Sequence, residues 1–487
     1  MSLALSHIKG QLTATLTILF YFRMILSSEN VCIHPTEMLE PTDDMTQPMG
    51  DYFINSSHNT YCSGDQLTDN SSVQMYINAL LRGSRCVELD CWDPEAPEHL
   101  DEPIIYHGHT LTSKIQFRDV VQAIADYSFV TSDFPVVLSL EVHCSKPYQE
   151  KMARIMEDIF GDALCKTIPD PTQPLPSPAS LLRKILLKGK SNVSALAGAD
   201  GSETHRELVE SPEEIADREM FEKAKSAHMA AQAAKKQNYV KEHSELSAKM
   251  DEKAKARAQK EANQAVAMET MKAHGGSVQK ESKVDKALSD IIWVNSVHHK
   301  DHKEILKSPT SNGMISYTES KGRGFISNDP QLFIEYNKKQ STRVYPAGFR
   351  VDSSNYNPMP YWAVGSAVVA LNLQTNDDGN QLNDAFFMRN GRCGYVLKPA
   401  ALRNLSTAAW EHPPASSSKG KVIITVVSGQ NFPKDGYNVH EKVGEIIDPF
   451  VRINIDGFDC DRQTQETSVL KKNGFNPTWN EVFKFQG

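Results

Sequence analysis

No pair among the eight cysteines of this 487-residue chain has the spacing of a metal knuckle, and Cys86 and Cys91 form no CxxC. Cysteines scattered in this way fit a reducing, cytosolic compartment better than a disulfide framework. A surplus of positive charge is missing too. The 52 lysines and arginines stand against 61 acidic residues, a net charge of −9. That balance argues against a nucleic-acid partner and against a surface that binds membranes by charge alone. An apolar run long enough to span a bilayer is also missing from the N-terminus. Leu12 to Leu26 is broken by Arg23 and falls short of the roughly 20 residues a spanning helix needs. Its flank is weakly basic and no small-x-small cleavage site follows. It reads either as a signal anchor or as a non-native or truncated start to the first domain. Large apolar residues are scarce once more between 191 and 285, where Ala, Lys, Glu and Ser dominate and Glu203 to Glu222 is strongly acidic. That segment reads as a solvated, partly helical tether with no core of its own.

What is present is ordinary globular material, 40% hydrophobic and 23% charged, in a chain long enough for two or three domains with cores. Its centre is Tyr52 to Asp93. The run Tyr52-Phe53-Ile54 stops at Asn55-Ser56-Ser57-His58-Asn59, a short buried strand that delivers a His and an Asn at its carboxyl end. Further on, Glu88 and Asp90 stand two apart, which in a strand places both carboxylates on one face. Two carboxylates, an amide oxygen and a histidine suggest a hard-cation site beside a proton handler. Acids on an edge strand beside a hydrogen-bonded loop histidine would leave the same pattern.

The rhythm continues. Ser71-Ser72 can cap a helix with Met75, Tyr76, Ala79 and Leu80 on its apolar face. Ile104-Ile105-Tyr106 is a brief strand ending on His107-Gly108-His109. Phe117, Val120, Val121 and Ile124 keep helical spacing, Pro135 to Leu140 is a continuous apolar strand ending on Glu141, and Lys184 to Lys188 is a strand ending in Lys188-Gly189-Lys190. After the tether come Ser316 to Ser320, then Arg343 and Tyr345 on one strand face, then buried strands at Val364 to Leu373 and from Cys393. Buried strands alternating with amphipathic helices predict a parallel α/β fold. Polar residues recur at the carboxyl ends of strands, where a β/α barrel builds its active site. The barrel is therefore expected to be split, with the tether between its halves, and followed from Lys421 by a β-rich module. The expected division is 1–44 uncertain, 45–190 first half, 191–285 tether, 286–405 second half, 406–419 linker and 420–487 an all-β, C2-type module. The chain stops at Gly487 after few strands for a complete sandwich.

Collected, Asn59, Glu88, Asp90 and Glu141 offer only oxygen ligands, which suits Ca²⁺ or Mg²⁺ and not Zn²⁺. His58 and His107 are candidate proton handlers. Lys188, Lys190, Ser316, Arg343 and Tyr345 form a cationic, hydroxyl-bearing group suited to phosphate. Together they suggest phosphodiester cleavage.

SSHNTY, ELDCWD, IIYHGHT, LSLEVHC and KILLKGK resemble the X box of eukaryotic phosphoinositide-specific phospholipase C. SYTES, RVYPAGFRVDSSNYNP and GYVLKPA resemble its Y box, and the tail resembles the C2 domain that follows. The resemblance is to delta-, zeta- or plant-like members. It implies a split TIM-type (β/α) barrel of X and Y halves followed by a truncated C2 sandwich. It also implies a catalytic Ca²⁺ on Asn59, Glu88, Asp90 and Glu141, with Glu88 or Glu141 as general base. His107 would protonate the departing diacylglycerol oxygen, and His58 would hydrogen-bond the phosphoryl oxygens. Lys188, Lys190, Ser316, Arg343 and Tyr345 would read the ring phosphates of phosphatidylinositol 4,5-bisphosphate. The products would be diacylglycerol and inositol 1,4,5-trisphosphate, formed through a cyclic inositol phosphate. The implied setting is cytoplasmic, with peripheral attachment to phosphoinositide membranes, inositol phosphates as ligands and no nucleic acid.

Departures from the family pattern are visible. Residues 1 to 45 hold neither a pleckstrin-homology domain nor EF-hands. Leu67, Leu111 and Phe349 match the family's membrane-dipping apolar rim, whereas His109 and Arg323 stand where large apolar residues are usual. Asp448 matches a calcium-loop aspartate of the C2 domain. The rival reading is a catalytically inactive scaffold or inositol-phosphate-binding relative, which would have lost a histidine or a metal ligand; here every matched position is filled.

Overall fold

The structure, a computed structural model, describes residues 40–94, 101–192, 284–403 and 421–486, except 109, 111, 298–302, 304–305, 308, 433–445 and 457–461; residues 223 and 226 are also described. The N-terminal apolar stretch, nearly all of the acidic tether, His109 and Leu111 lie outside the described residues. Among those described, no helix is long and apolar enough to cross a membrane.

Eight parallel strands close into a barrel. In chain order they are β1 (Tyr52–Ser57), β2 (Cys86–Trp92), β5 (Val136–Val142), β6 (Ile185–Gly189), β7 (Val294–Ser296), β8 (Gly313–Thr318), β9 (Ser341–Tyr345) and β10 (Val368–Leu371). Each pairs with the next, β1 also pairs with β10 through Ile54↔Val368, and Ser56↔Cys86 joins β1 to β2. The fold expected from the sequence is thus present, with strands β1 to β6 from one side of the tether and β7 to β10 from the other. Two short strands, β3 (Ile104–Ile105) and β4 (Ile115–Gln116), are not barrel staves. They extend β2 as an antiparallel excursion, Trp92↔Ile104 and Ile105↔Ile115. A last strand, β11 (Tyr395–Leu397), runs antiparallel against β1.

Helices α1 (Val73–Leu81), α2 (Phe117–Tyr127) and α3 (Lys146–Phe160) clothe the first half. Ser72 caps α1 by accepting from the Gln74 backbone N–H, as the sequence predicted. Tyr76, Leu80, Val120, Ile124, Met152 and Met156 pack on the outward residues Val87, Leu89, Leu138 and Leu187. After a short helical turn, α4 (Lys286–Ser289), the second half carries α5 (Glu319–Asn328), α6 (Pro330–Lys339), α7 (Met359–Ala363) and α8 (Asp378–Phe387). There Phe333, Ile334, Trp362 and Phe387 cover Tyr317, Val344, Val369 and Leu371.

The barrel interior has two layers, and period two dictates both. Ile54, Cys86, Val137, Leu186, Met314 and Val368 pack together with Trp293 and Tyr395 as an apolar floor. Two residues nearer the carboxyl end of the same strands stand Ser56, Glu88, Ser139, Lys188, Ser316 and Ala370. The floor excludes water from beneath, and the polar layer opens to the mouth. One expected strand is shorter than its apolar run. Val364 to Leu373 begins with a turn at Gly365 (φ +84°), a backbone conformation few L-residues adopt, and only Val368–Leu371 pairs.

Beyond the barrel, β12 (Lys421–Ser428) pairs with β15 (Thr478–Gln486), and β13 (Arg452–Ile455) with β14 (Gln463–Glu466), all antiparallel. The expected strand from Asp448 starts only at Arg452. Asp448 is taken up instead by Lys471 Nζ, which donates to it at 2.8 Å, and by the Lys472 backbone N–H at 2.6 Å.

Candidate active site

Register builds the acidic centre. Glu88 and Asp90 occupy one face of β2, and Asp90 lies directly beside Glu141 of β5. The carboxylate oxygens of Glu88, Asp90 and Glu141 fall within 4.8 Å of one another. Glu88 and Asp90 are buried, while the Glu141 side chain opens to solvent. Three carboxylates this close repel unless a cation or proton intervenes. Burial, then Glu141 and Glu88, pushes Asp90 well above the usual carboxylate range. His143 Nε2 donates to Glu141 at 3.2 Å and holds that carboxyl below its usual value, against its partial desolvation.

Two positive side chains answer the acids. Arg343, from β9, pairs with Glu88 at 2.6 Å with both side chains buried. Lys188 donates to Ser139 Oγ at 3.2 Å and Ser316 Oγ at 3.3 Å, and burial together with Arg343 pushes its ammonium down to about 8. Lys190, just past β6, is exposed at the mouth. Tyr345 lies under the Arg343 guanidinium, 5.0 Å from its ring centroid, and stacks on His58 at 5.9 Å.

Asn59 takes up a left-handed backbone, φ +39°, which asparagine tolerates better than most residues. That turn aims its backbone N–H at Glu88 Oε2, 2.9 Å away, and its side-chain Nδ2 donates to Gln66 Oε1 at 2.8 Å. His58 donates from Nδ1 to Asn372 Oδ1 at 2.8 Å, and burial holds its imidazole below the usual value. His107 comes from the antiparallel excursion and not from a stave. Its Nδ1 donates to the Gln66 carbonyl at 2.6 Å. Gly108 lets that loop lie against Trp92, since a Cβ there would meet the indole at 2.0 Å. Both histidines carry a proton on Nδ1, so the neutral rings keep their lone pair on Nε2.

A hard divalent cation fits these residues. The donors are all oxygen, and Asp90 Oδ1 is buried with no hydrogen-bond partner among the described residues. Its other oxygen accepts from Tyr61 OH at 2.5 Å, so the carboxylate is held with one lone face toward the cluster.

The structure therefore collects the predicted residues from seven strands and loops at one end of a barrel. Residues 45–191 match the model described as phosphatidylinositol-specific phospholipase C, X domain, residues 288–401 match its Y domain, and 420–487 match the C2 domain.

The chain belongs to the phosphoinositide-specific phospholipase C family.

Among curated relatives of this phospholipase C chain, human 1-phosphatidylinositol 4,5-bisphosphate phosphodiesterase delta-4 is 38% identical over 98% of the chain and 57% of its own length. The human eta-1 enzyme is 36% identical over 92% of the chain and 30% of its own length. Among solved structures, PLC21 of S. officinalis is 31% identical with a TM-score of 0.70, covering 96% of this chain and 51% of the other. The chain thus spans about a third to three fifths of the length of these relatives.

Several site residues were not singled out in the sequence. Tyr61, Gln66, His143 and Asn372 touch the candidate ligands and histidines, but no spacing rule marks them, because most of their partners lie on distant segments. The rim expectation needs one correction. Leu67 is 3% exposed, so it packs inward and does not stand on a membrane-facing ridge; Phe349 is half-buried.

Proposed function

We propose that this chain is a Ca²⁺-dependent phosphoinositide phospholipase C that cleaves phosphatidylinositol 4,5-bisphosphate to diacylglycerol and inositol 1,4,5-trisphosphate through a cyclic inositol phosphate. One observation supports it above the others. Three clustered carboxylates, two histidines each tethered through Nδ1, and a buried Arg–Lys pair share the carboxyl-end mouth of one barrel. Asn59, Glu88, Asp90 and Glu141 would hold Ca²⁺, which when bound supplies charge to screen the phosphate and acidify the inositol 2-hydroxyl.

His107 is the general acid. Its backbone-carbonyl tether fixes the Nδ1–H, so the transferable proton sits on Nε2 of the charged ring and passes to the departing diacylglycerol oxygen. His58 stabilises the phosphoryl oxygens. With Nδ1–H committed to Asn372, donation from Nε2 requires the charged ring, and the negative charge of the phosphate favours that second proton. Glu88 or Glu141 takes the proton of the attacking hydroxyl. Lys188, Lys190, Ser316 and Tyr345 bind the headgroup phosphates, while Arg343, expected from the sequence to join them, is committed to Glu88 as its buried counter-charge. A membrane surface bearing phosphoinositide is the partner, with peripheral attachment on the cytoplasmic side.

The test is release of labelled, water-soluble inositol phosphate from phosphatidylinositol 4,5-bisphosphate vesicles, with the cyclic product followed at early times. Release with a cyclic fraction supports the reading. Binding of inositol trisphosphate with no release at any calcium level supports the inactive scaffold instead.

A further inference from the structure

Gln66 sits in the loop after β1, 5% exposed, and uses both ends of its amide and both ends of its peptide unit. Its Oε1 accepts from Asn59 Nδ2 at 2.8 Å. Its Nε2 donates to Ser353 Oγ at 2.7 Å and to Asn372 Oδ1 at 3.3 Å, the same oxygen that accepts from His58 Nδ1. Its carbonyl accepts from His107 Nδ1 at 2.6 Å, and its backbone N–H donates to Val351 O at 2.9 Å. Val351, Ser353 and Asn372 belong to the second half of the barrel. One residue therefore connects a candidate metal ligand, both candidate histidines and the two halves of the chain.

We propose that Gln66 is a positioning residue that holds Asn59, His58 and His107 in a single frame. This rests on the reading that Asn59 binds the cation and the histidines act on the phosphate. The chemistry selects glutamine. Asn59 must turn its amide oxygen toward the carboxylates, so its nitrogen needs an acceptor on the opposite side, and Gln66 Oε1 supplies one. Asn372 must keep its oxygen toward His58, and the Gln66 Nε2 donor biases that amide orientation. Asparagine is one methylene shorter, glutamate lacks the donor, and methionine lacks the amide altogether. Such supporting hydrogen bonds orient ligands in metal sites, and removing one costs roughly 10- to 100-fold in affinity or activity.

The experiment uses the full chain in three forms: parent, Gln66→Met and Gln66→Glu. Ca²⁺ affinity is read by calorimetry without lipid, and kcat at saturating Ca²⁺ is read on vesicles. Gln66→Met is expected to lose roughly 10- to 100-fold in Ca²⁺ affinity and to lose kcat as well. Gln66→Glu keeps the acceptor for Asn59, so it is expected to retain Ca²⁺ affinity and lose kcat alone, a split that a general folding defect does not produce. In an Asn59→Ala background, Gln66→Met should cost little further affinity. Parent-like Ca²⁺ binding and turnover in Gln66→Met overturn the proposal, as do losses that add in full in the Asn59→Ala background. If Gln66→Met does not fold, the Gln66→Glu split decides. A parent chain that binds no Ca²⁺ removes the underlying reading and Gln66 with it; a parent that binds while Gln66→Met binds equally removes only Gln66.

Discussion

His58 and His107 are set apart from ordinary surface histidines by what holds their Nδ1 atoms, an amide oxygen and a backbone carbonyl. Each neutral ring is then held in one tautomer, with its lone pair on Nε2. His58→Ala and His107→Ala are each expected to lower turnover by about 10²–10⁴-fold, the worth of positioned acid–base help, with melting curves close to the parent's. Near-parental hydrolysis by either would remove that histidine from the reaction. Arg343 and Lys190 separate two roles that looked alike in the sequence. Arg343 is the buried counter-charge of Glu88, so Arg343→Ala leaves a buried carboxylate uncompensated, a loss of order 3–5 kcal/mol in comparable pairs. It should depress activity on phosphatidylinositol and on its bisphosphate together. In the proposed reading Lys190, exposed at the rim, would supply a charge-assisted bond to phosphate worth about 1.5–3 kcal/mol. Lys190→Ala should cost the bisphosphorylated substrate about 10- to 100-fold by that magnitude and spare the unphosphorylated one. An equal loss on both substrates would place Lys190 outside phosphate recognition.

At the scale of elements, β11 staples the chain's return against β1, and its neighbour Lys398 is the residue to watch. Lys398 is buried beside Phe53 and donates from Nζ to Gly50 O at 2.7 Å. Burial, partly offset by Asp51, pushes its ammonium down to about 8 from 10.5. Between those values the unfolded chain holds a proton that the folded chain has lost, so stability from this site rises with pH across that window. The buried charge costs its full amount below pH 8, about 3 kcal/mol at most, and nothing above pH 10.5. Denaturant titrations of the parent minus Lys398→Met should therefore differ with a positive slope from pH 8 to 10.5; a flat difference would show the lysine equally charged in both states. The same scale shows how much the sequence told. Glu88, Asp90, Glu141, Lys188, Ser316 and Arg343 were legible because strand alternation alone sorts inward from outward residues. The origin of His107 was not, since a two-residue strand carries no mark of its antiparallel direction. The Arg343–Glu88 pair and the Gln66 contacts were hidden too, because barrel closure joins residues far apart in sequence. The burial of Leu67 was unreadable for a related reason. Its loop turns on local bonds from Leu67 and Thr68 to Asp65, but it is pinned inward by Gln66, whose bond to Ser353 exists only in the closed barrel.

For the whole molecule, the proposed function brings the mouth to an anionic bilayer, while an acidic segment, Glu203 to Glu222, lies in the sequence between the barrel halves. Like charges near that surface repel, and salt weakens the effect. Deleting 203–222 is expected to raise hydrolysis of vesicles and leave hydrolysis of soluble substrate unchanged, with the gain shrinking at high salt. Lower vesicle activity after deletion would show that the segment assists binding. The most direct measurement concerns the acidic centre itself: release of inositol phosphate from phosphatidylinositol 4,5-bisphosphate across buffered free Ca²⁺, for the parent and for Asp90→Asn. Asp90 Oδ1 is buried and has no hydrogen-bond partner among the described residues. The parent should be silent in chelator and switch on with Ca²⁺. The Asp90→Asn curve should move to higher Ca²⁺ by at least the roughly 10-fold that loss of a mere supporting partner costs. Full activity in excess chelator, or superimposable curves, would contradict a metal on Glu88, Asp90 and Glu141.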